Sequence, residues 1–156
     1  MGATRLGAIV WTLQWPLAVL LPVFVFFGRA LLGAEIGWMG AVGLLIGPIL
    51  LILLLIPPIL SVFDLEARRA AAAPRNYAVA SVVLWMAMIV AGLALSDGGD
   101  VRPFPSSLES WTGMGPDAAA AIVGAAVVIG TAAWIGMLIT AIRGIVRSRP
   151  GLLSGP

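Results

Sequence analysis

The stretch GPILLILLLIPPIL, Gly47 to Leu60, carries ten leucines and isoleucines and three prolines in fourteen residues. So apolar a run belongs in a bilayer, where only a helix or a closed barrel satisfies the backbone polar groups. Proline opposes a helix, because it lacks a donor and clashes with the carbonyl four residues back. Counting from Trp38, Ile56 is the nineteenth residue, a rise of about 28 Å against a hydrocarbon thickness of about 30 Å. The Pro57-Pro58 pair therefore falls at the membrane boundary, where the freed carbonyls of Leu53 and Leu54 lie close to water. Pro58 also biases Pro57 away from the α region, so the pair reads as a bend or stop that sends Ile59 to Phe63 along the interface. Only Pro48, beside Gly47, lies deep. A kinked packing helix is the favoured reading there, and a broken helix around a binding site is its rival.

Composition extends this reading to the whole chain. Of 156 residues, 61% are hydrophobic and 10% charged, against about 45–50% and about 25% in soluble domains. Four apolar segments stand out, at 6–27, 38–63, 77–95 and 118–142, each of 19 to 26 residues with no charge inside. Each is long enough to cross. The fold expected is an all-α integral membrane protein, a single membrane domain over 1–156 formed by a four-transmembrane-helix bundle, with bends in the first two spans. The first span exceeds the apolar core of a cleaved signal peptide, about 7–15 residues, and reads as a retained helix.

Arginine sets the orientation. Arg5, Arg68, Arg69, Arg75, Arg143, Arg147 and Arg149 fall on one side, and Arg29 and Arg102 on the other among most of the acids. The positive-inside rule places both termini in the cytoplasm, N-in and C-in. Trp38 and the Phe24, Phe26, Phe27 group mark the outer boundary and Tyr77 the inner one. Trp85 and Trp134 fall mid-span and read as packing or lipid-facing residues. All basic residues are Arg, with abundant Ala and Gly, which reads as the codon bias of a GC-rich bacterial genome and a place in the cell membrane. The outer loop 96–117 is rich in Gly, Pro, Ser and Asp. It allows one short turn at Ser107–Trp111, and Gly115-Pro116-Asp117 is a start signal for the last span.

Much chemistry is excluded. The chain has no Cys and no His, so disulfides, thiolate nucleophiles and thiolate or imidazole metal ligands are absent. Without Lys there is no Schiff base and no phosphate loop ending in Gly-Lys. No ionisable side chain lies inside a span, where proton relays and ion pathways place them. Asp64 with Arg68 reads as a solvated helix-end ion pair at i, i+4, and Asp97 with Asp100 as a loop pair that binds a cation weakly at best. No cofactor and no metal is expected. Net charge is only +2 and the arginines flank spans, so no nucleic-acid partner is expected; the lipid bilayer is the partner.

What remains is packing and a few polar groups. Gly40, Gly43 and Gly47 line the second span, and Gly124, Gly130 and Gly136, each four residues after an alanine, line the fourth. Such stripes let backbones approach closely. They serve either packing within one bundle or contact with a second copy or a larger membrane partner. Gln14, in the run Trp11-Thr12-Leu13-Gln14-Trp15-Pro16, is the most polar side chain within a span. It reads as hydrogen-bonding glue between helices or, with Thr12 and the Pro48 region, as a contact for a polar substrate. The function expected is a small non-enzymatic accessory, scaffold or oligomerising subunit. The alternative is a channel or carrier for a neutral or lipid-like solute, formed by an oligomer.

Overall fold

A computed structural model describes residues 4–100 and 102–148, apart from the side chain of Arg29. In chain order these form α1 (Arg5–Phe26), a short 3₁₀ turn (Gly28–Leu32), α2 (Trp38–Val62), α3 (Leu65–Ala70) and α4 (Arg75–Ala94). Then follow two-residue strands β1 (Asp97–Gly98) and β2 (Pro103–Phe104), α5 (Ser107–Thr112) and α6 (Pro116–Ser148). Helices α1, α2, α4 and α6, of 22, 25, 20 and 33 residues, are each long and apolar enough to cross a membrane. The architecture is an all-α bundle. The two strands pair antiparallel as a minimal hairpin, Asp97 opposite Phe104.

The first three spans begin and end within two residues of their expected limits. The fourth is longer at its C-terminal end: α6 passes the expected end at Ile142 and continues to Ser148. Nothing in the segment Arg143 to Ser148 breaks a helix except Gly144, and arginine near a helix C-terminus favours the dipole. At about 1.5 Å per residue its 33 residues extend over roughly 50 Å, against a hydrocarbon thickness of about 30 Å.

The four long helices close a ring. α4 packs most extensively on α6 and then on α1, while α2 joins α1 to α6 on the opposite side. Consecutive spans run antiparallel. α1 and α4 run parallel, since Gly7 accepts from the amide of Ala73 at 3.0 Å at one end, Gln14 meets Tyr77 midway and Phe24 meets Gly92 at the other end. Buried positions recur every three, four or seven residues, as a helix seam requires: Gly7, Val10, Gln14, Ala18 and Leu21 on α1; Tyr77, Ser81, Leu84 and Met88 on α4; Ala126, Gly130, Met137 and Ala141 on α6.

Size, more than polarity, separates inside from outside. α6 buries Ala119, Ala126, Gly130, Met137 and Ala141 and exposes Val127, Val128, Ile129, Ile135, Ile139 and Ile142. Lipid tails are as apolar as leucine, so burying a large apolar side chain brings no hydrophobic gain, whereas small residues bring helices into dispersion contact. α2 is buried only toward its two ends, at Gly40 and Gly43 and at Leu54, Pro57, Pro58 and Ser61.

Two local expectations are corrected. The Pro57-Pro58 pair does not stop α2, which continues to Val62. The indole N–H of Trp134 on α6 donates to the Leu53 carbonyl at 2.9 Å, the group that Pro57 deprives of its helical donor. Trp134 is thus a polar partner for a proline break as well as a packing residue. Asp64 does not pair with Arg68 among the described residues. Its carboxylate caps α3, accepting from the amides of Glu66 at 3.1 Å and Ala67 at 3.3 Å.

Candidate functional site

The polar centre of the bundle joins α1, α2 and α4. Pro16 and Pro22 are accommodated within α1, and Gln14, only 2% exposed, points inward. The Tyr77 hydroxyl donates to Gln14 Oε1 at 2.8 Å, and Gln14 Nε2 donates to the Trp11 carbonyl at 3.2 Å. Ser81 returns its hydroxyl to the Tyr77 carbonyl at 2.9 Å. Ser61 donates to the Pro58 carbonyl at 2.7 Å. A fully buried tyrosine bonded to a buried amide ties α1 to α4 for about 0.6–2 kcal/mol.

Beside this cluster is a void of about 10 Å³, lined by Gln14, Ala18, Leu54, Pro58 and Met137 among others. That is room for about one water molecule. Pro22 and Pro58 free the carbonyls of Ala18 and Leu54, so the void lies where the backbone has acceptors to spare. The other two residues expected to make polar contact lie elsewhere. Thr12 is exposed and returns its hydroxyl to Ala8 at 3.2 Å. Pro48 is exposed within the outward-facing middle of α2. Gln14, Thr12 and Pro48 do not share a cavity.

The glycine stripes divide. A Cβ on Gly43 would lie 2.5 Å from Phe26 Cβ, and one on Gly40 2.7 Å from Ile36, so both positions are closed by packing. Gly130 faces Ala87 and Leu84, and Gly136 faces Ala80, at ordinary contact distances of 3.5 to 3.8 Å. Gly47 and Gly124 meet nothing within 4 Å. Four glycines therefore serve the bundle itself and two open outward.

Each end of the bundle has a carboxylate that sequence reasoning assigned to another role. At the end where α2 begins, Asp97, 5% exposed, reaches back to the start of that helix. Its Oδ2 accepts from the Gly37 amide at 2.8 Å, and its Oδ1 accepts from Met39 at 2.8 Å and Gly98 at 2.7 Å. Gly37 is the N-cap of α2 and offers no side chain, so an aspartate about sixty residues away in sequence caps the helix. Gly37 must be glycine, because a Cβ there would strike the Gly98 carbonyl oxygen. A helix start lacking its own cap was the available sign, but nothing local identifies the donor of the cap. Around it, Trp38 Nε1 donates to Asp100 at 2.9 Å and Arg102 pairs with Glu35 at 2.9 Å, fastening the loop over α2.

The rest of the loop is folded by α5. Ser106 and Glu109 form a capping box, which the pattern Ser-x-x-Glu would have signalled. Glu109 Oε2 also accepts from the Ser96 hydroxyl at 2.6 Å and from the Ser106 amide at 2.6 Å. The Ser96 bond first, and the Ser106 amide second, hold its carboxyl below the ordinary value of 4.5. At the opposite end of the bundle, Gly144 of α6 lies directly against the Asp64 carboxylate. Ser148 Oγ accepts from the Leu65 amide at 3.3 Å, so the extended end of α6 holds α3 in place.

Among the described residues no group of three acidic, cysteine or histidine side chains comes together to hold a metal ion. In comparison with known proteins, the chain matches no family model, no curated protein and no solved structure.

Proposed function

We propose that this chain is a small non-enzymatic protein of a bacterial cell membrane, with both termini cytoplasmic, that acts as an accessory or scaffold subunit through helix packing with a second copy or a larger membrane protein. The observation that carries this reading is the division of the glycine stripes. Gly47 on α2 and Gly124 on α6 open outward with nothing within 4 Å, on the two spans that bury least of themselves in the bundle. A bare glycine on a lipid-facing helix forgoes contacts that a second backbone restores. The interior supports the same view, since its central void has room for about one water and its polar side chains bond one another or a helix backbone carbonyl. The orientation rests on Arg68, Arg69, Arg75, Arg143 and Arg147, which the α3–α6 contact gathers at one end of the bundle.

Light scattering on the full chain extracted in a mild detergent, with identification of co-purifying proteins, tests the proposal. The expected result is a multimer or a retained partner, lost in Gly47→Leu or Gly124→Leu while the melting temperature holds. A monodisperse monomer with no companion from native membrane overturns it. A carrier formed by an oligomer, the alternative, places its path between copies. Reconstituted vesicles that take up no ion, neutral solute or labelled lipid above empty ones dismiss that alternative.

A further inference from the structure

An open groove of about 600 Å³ follows the outer face of the α4–α6 seam. Half-buried Ala80 and Ala133 form its floor, and exposed Val79, Val83 and Ile129 its rims. Arg75 and Asn76 form one end. We propose that this groove holds one anionic phospholipid from the leaflet on the Arg75 side, with the phosphate on Arg75 and Asn76 and one acyl chain along the alanine floor.

The dimensions suit one leaflet. From Arg75 to Val83 the helix rises about 12 Å, close to half of the ~30 Å hydrocarbon thickness. The apolar trough alone selects nothing, because an acyl chain loses as much contact with bulk lipid as it gains. Selection comes from the charged end. Arg75 is exposed and, among the described residues, makes no ion pair and no side-chain hydrogen bond. It opens α4, where a positive charge opposes the helix dipole, so its charge does not serve the helix. A guanidinium at headgroup depth grips a phosphate with two parallel bonds, and the neighbouring Asn76 amide adds a donor. A second copy of this chain fits the groove less well, because the same end of that copy carries Arg5, Arg68, Arg69, Arg143 and Arg147 against only Asp64 and Glu66, so it brings net positive charge to Arg75.

The test uses the full chain reconstituted in equal amounts of phosphatidylglycerol and phosphatidylcholine, then released into mild detergent for native mass spectrometry. One phosphatidylglycerol per chain is expected, retained in preference to phosphatidylcholine. Arg75→Gln should reduce the preference about five-fold with an unchanged melting temperature. Arg69→Gln, an equally exposed arginine outside the groove, should leave it intact. Ala132→Leu, on the exposed lip of the groove, should remove bound lipid of either kind. Equal retention of the two lipids overturns the proposal, as does an Arg69→Gln loss equal to that of Arg75→Gln. A two-chain species that replaces the lipid and is broken by Ala132→Leu assigns the groove to a second copy and overturns it as well.

Discussion

Replacing Asp97 tests whether the loop that follows α4 holds α2. In Asp97→Ala the amides of Gly37 and Met39 lose a buried carboxylate that accepts both at 2.8 Å. Loss of an N-cap costs about 0.5–2 kcal/mol, and a buried donor left unmatched costs about 1–3 kcal/mol. The charge at the positive end of the helix dipole adds about 0.3–1 kcal/mol. These contributions overlap, since the same bonds enter each, so the expected loss is about 3 kcal/mol. At roughly 2–4 °C per kcal/mol for a chain of this size, melting should fall by about 6–12 °C. Asp97→Asn keeps the shape and one acceptor but loses the charge and turns an amide toward a donor, so it should fall between parent and Asp97→Ala. Asp100→Ala removes an exposed bond to Trp38 and should stay within about 0.5 kcal/mol. The assay is thermal unfolding in one detergent at pH 7, followed by far-UV circular dichroism. An Asp97→Ala protein that melts with the parent, or an Asp100→Ala protein that loses as much, refutes the cap.

Three further outcomes follow from local geometry. Trp134→Phe removes the donor to the Leu53 carbonyl and should cost about 0.6–1.7 kcal/mol; in a Pro57→Leu background, where the helix supplies its own donor, the same change should cost less, and a double-mutant cycle on melting showing no coupling refutes the pairing. Gly43→Ala drives a methyl into the Phe26 side chain and should destabilise, whereas Gly124→Ala meets open space and should be neutral or gain about 0.5–1 kcal/mol from helix propensity; equal effects in the same melts contradict the division of the stripes. Glu109 titrates below its ordinary 4.5 in the folded chain, so the unfolded chain binds the proton first. The Glu109 contribution to stability is complete above that value and is lost as pH falls through the lowered one. Over that acid window Glu109→Gln should lose less melting temperature than the parent, and parallel curves for the two proteins would remove the linkage.

The spans were legible because twenty apolar residues without a charge have few fates other than a membrane helix. Gln14 was legible as glue for the same reason, since an amide in hydrocarbon needs a partner. The identity of that partner was not. Tyr77 lies beyond two intervening helices in the sequence, and its ring read as an interface anchor, whereas the fold buries it completely. Asp97 was read as a loop acid because capping reasoning looks a few residues ahead, and the helix it serves begins about sixty residues earlier.

The sequence by itself determined that four helices form, where they lie along the chain and which chemistries are closed to it, since these follow from local apolarity, charge and the absence of Cys, His and Lys. Only the tertiary structure decided which face of each helix turns inward. Both faces are apolar, and the choice between them depends on small residues meeting a neighbouring backbone. Thus Gly43 closes on Phe26 while Gly47, one turn later, faces open space. The prolines of GPILLILLLIPPIL show the same division. Their cost is written in the sequence, but only the fold brings the indole of Trp134, on a helix far along the chain, to the carbonyl that Pro57 frees.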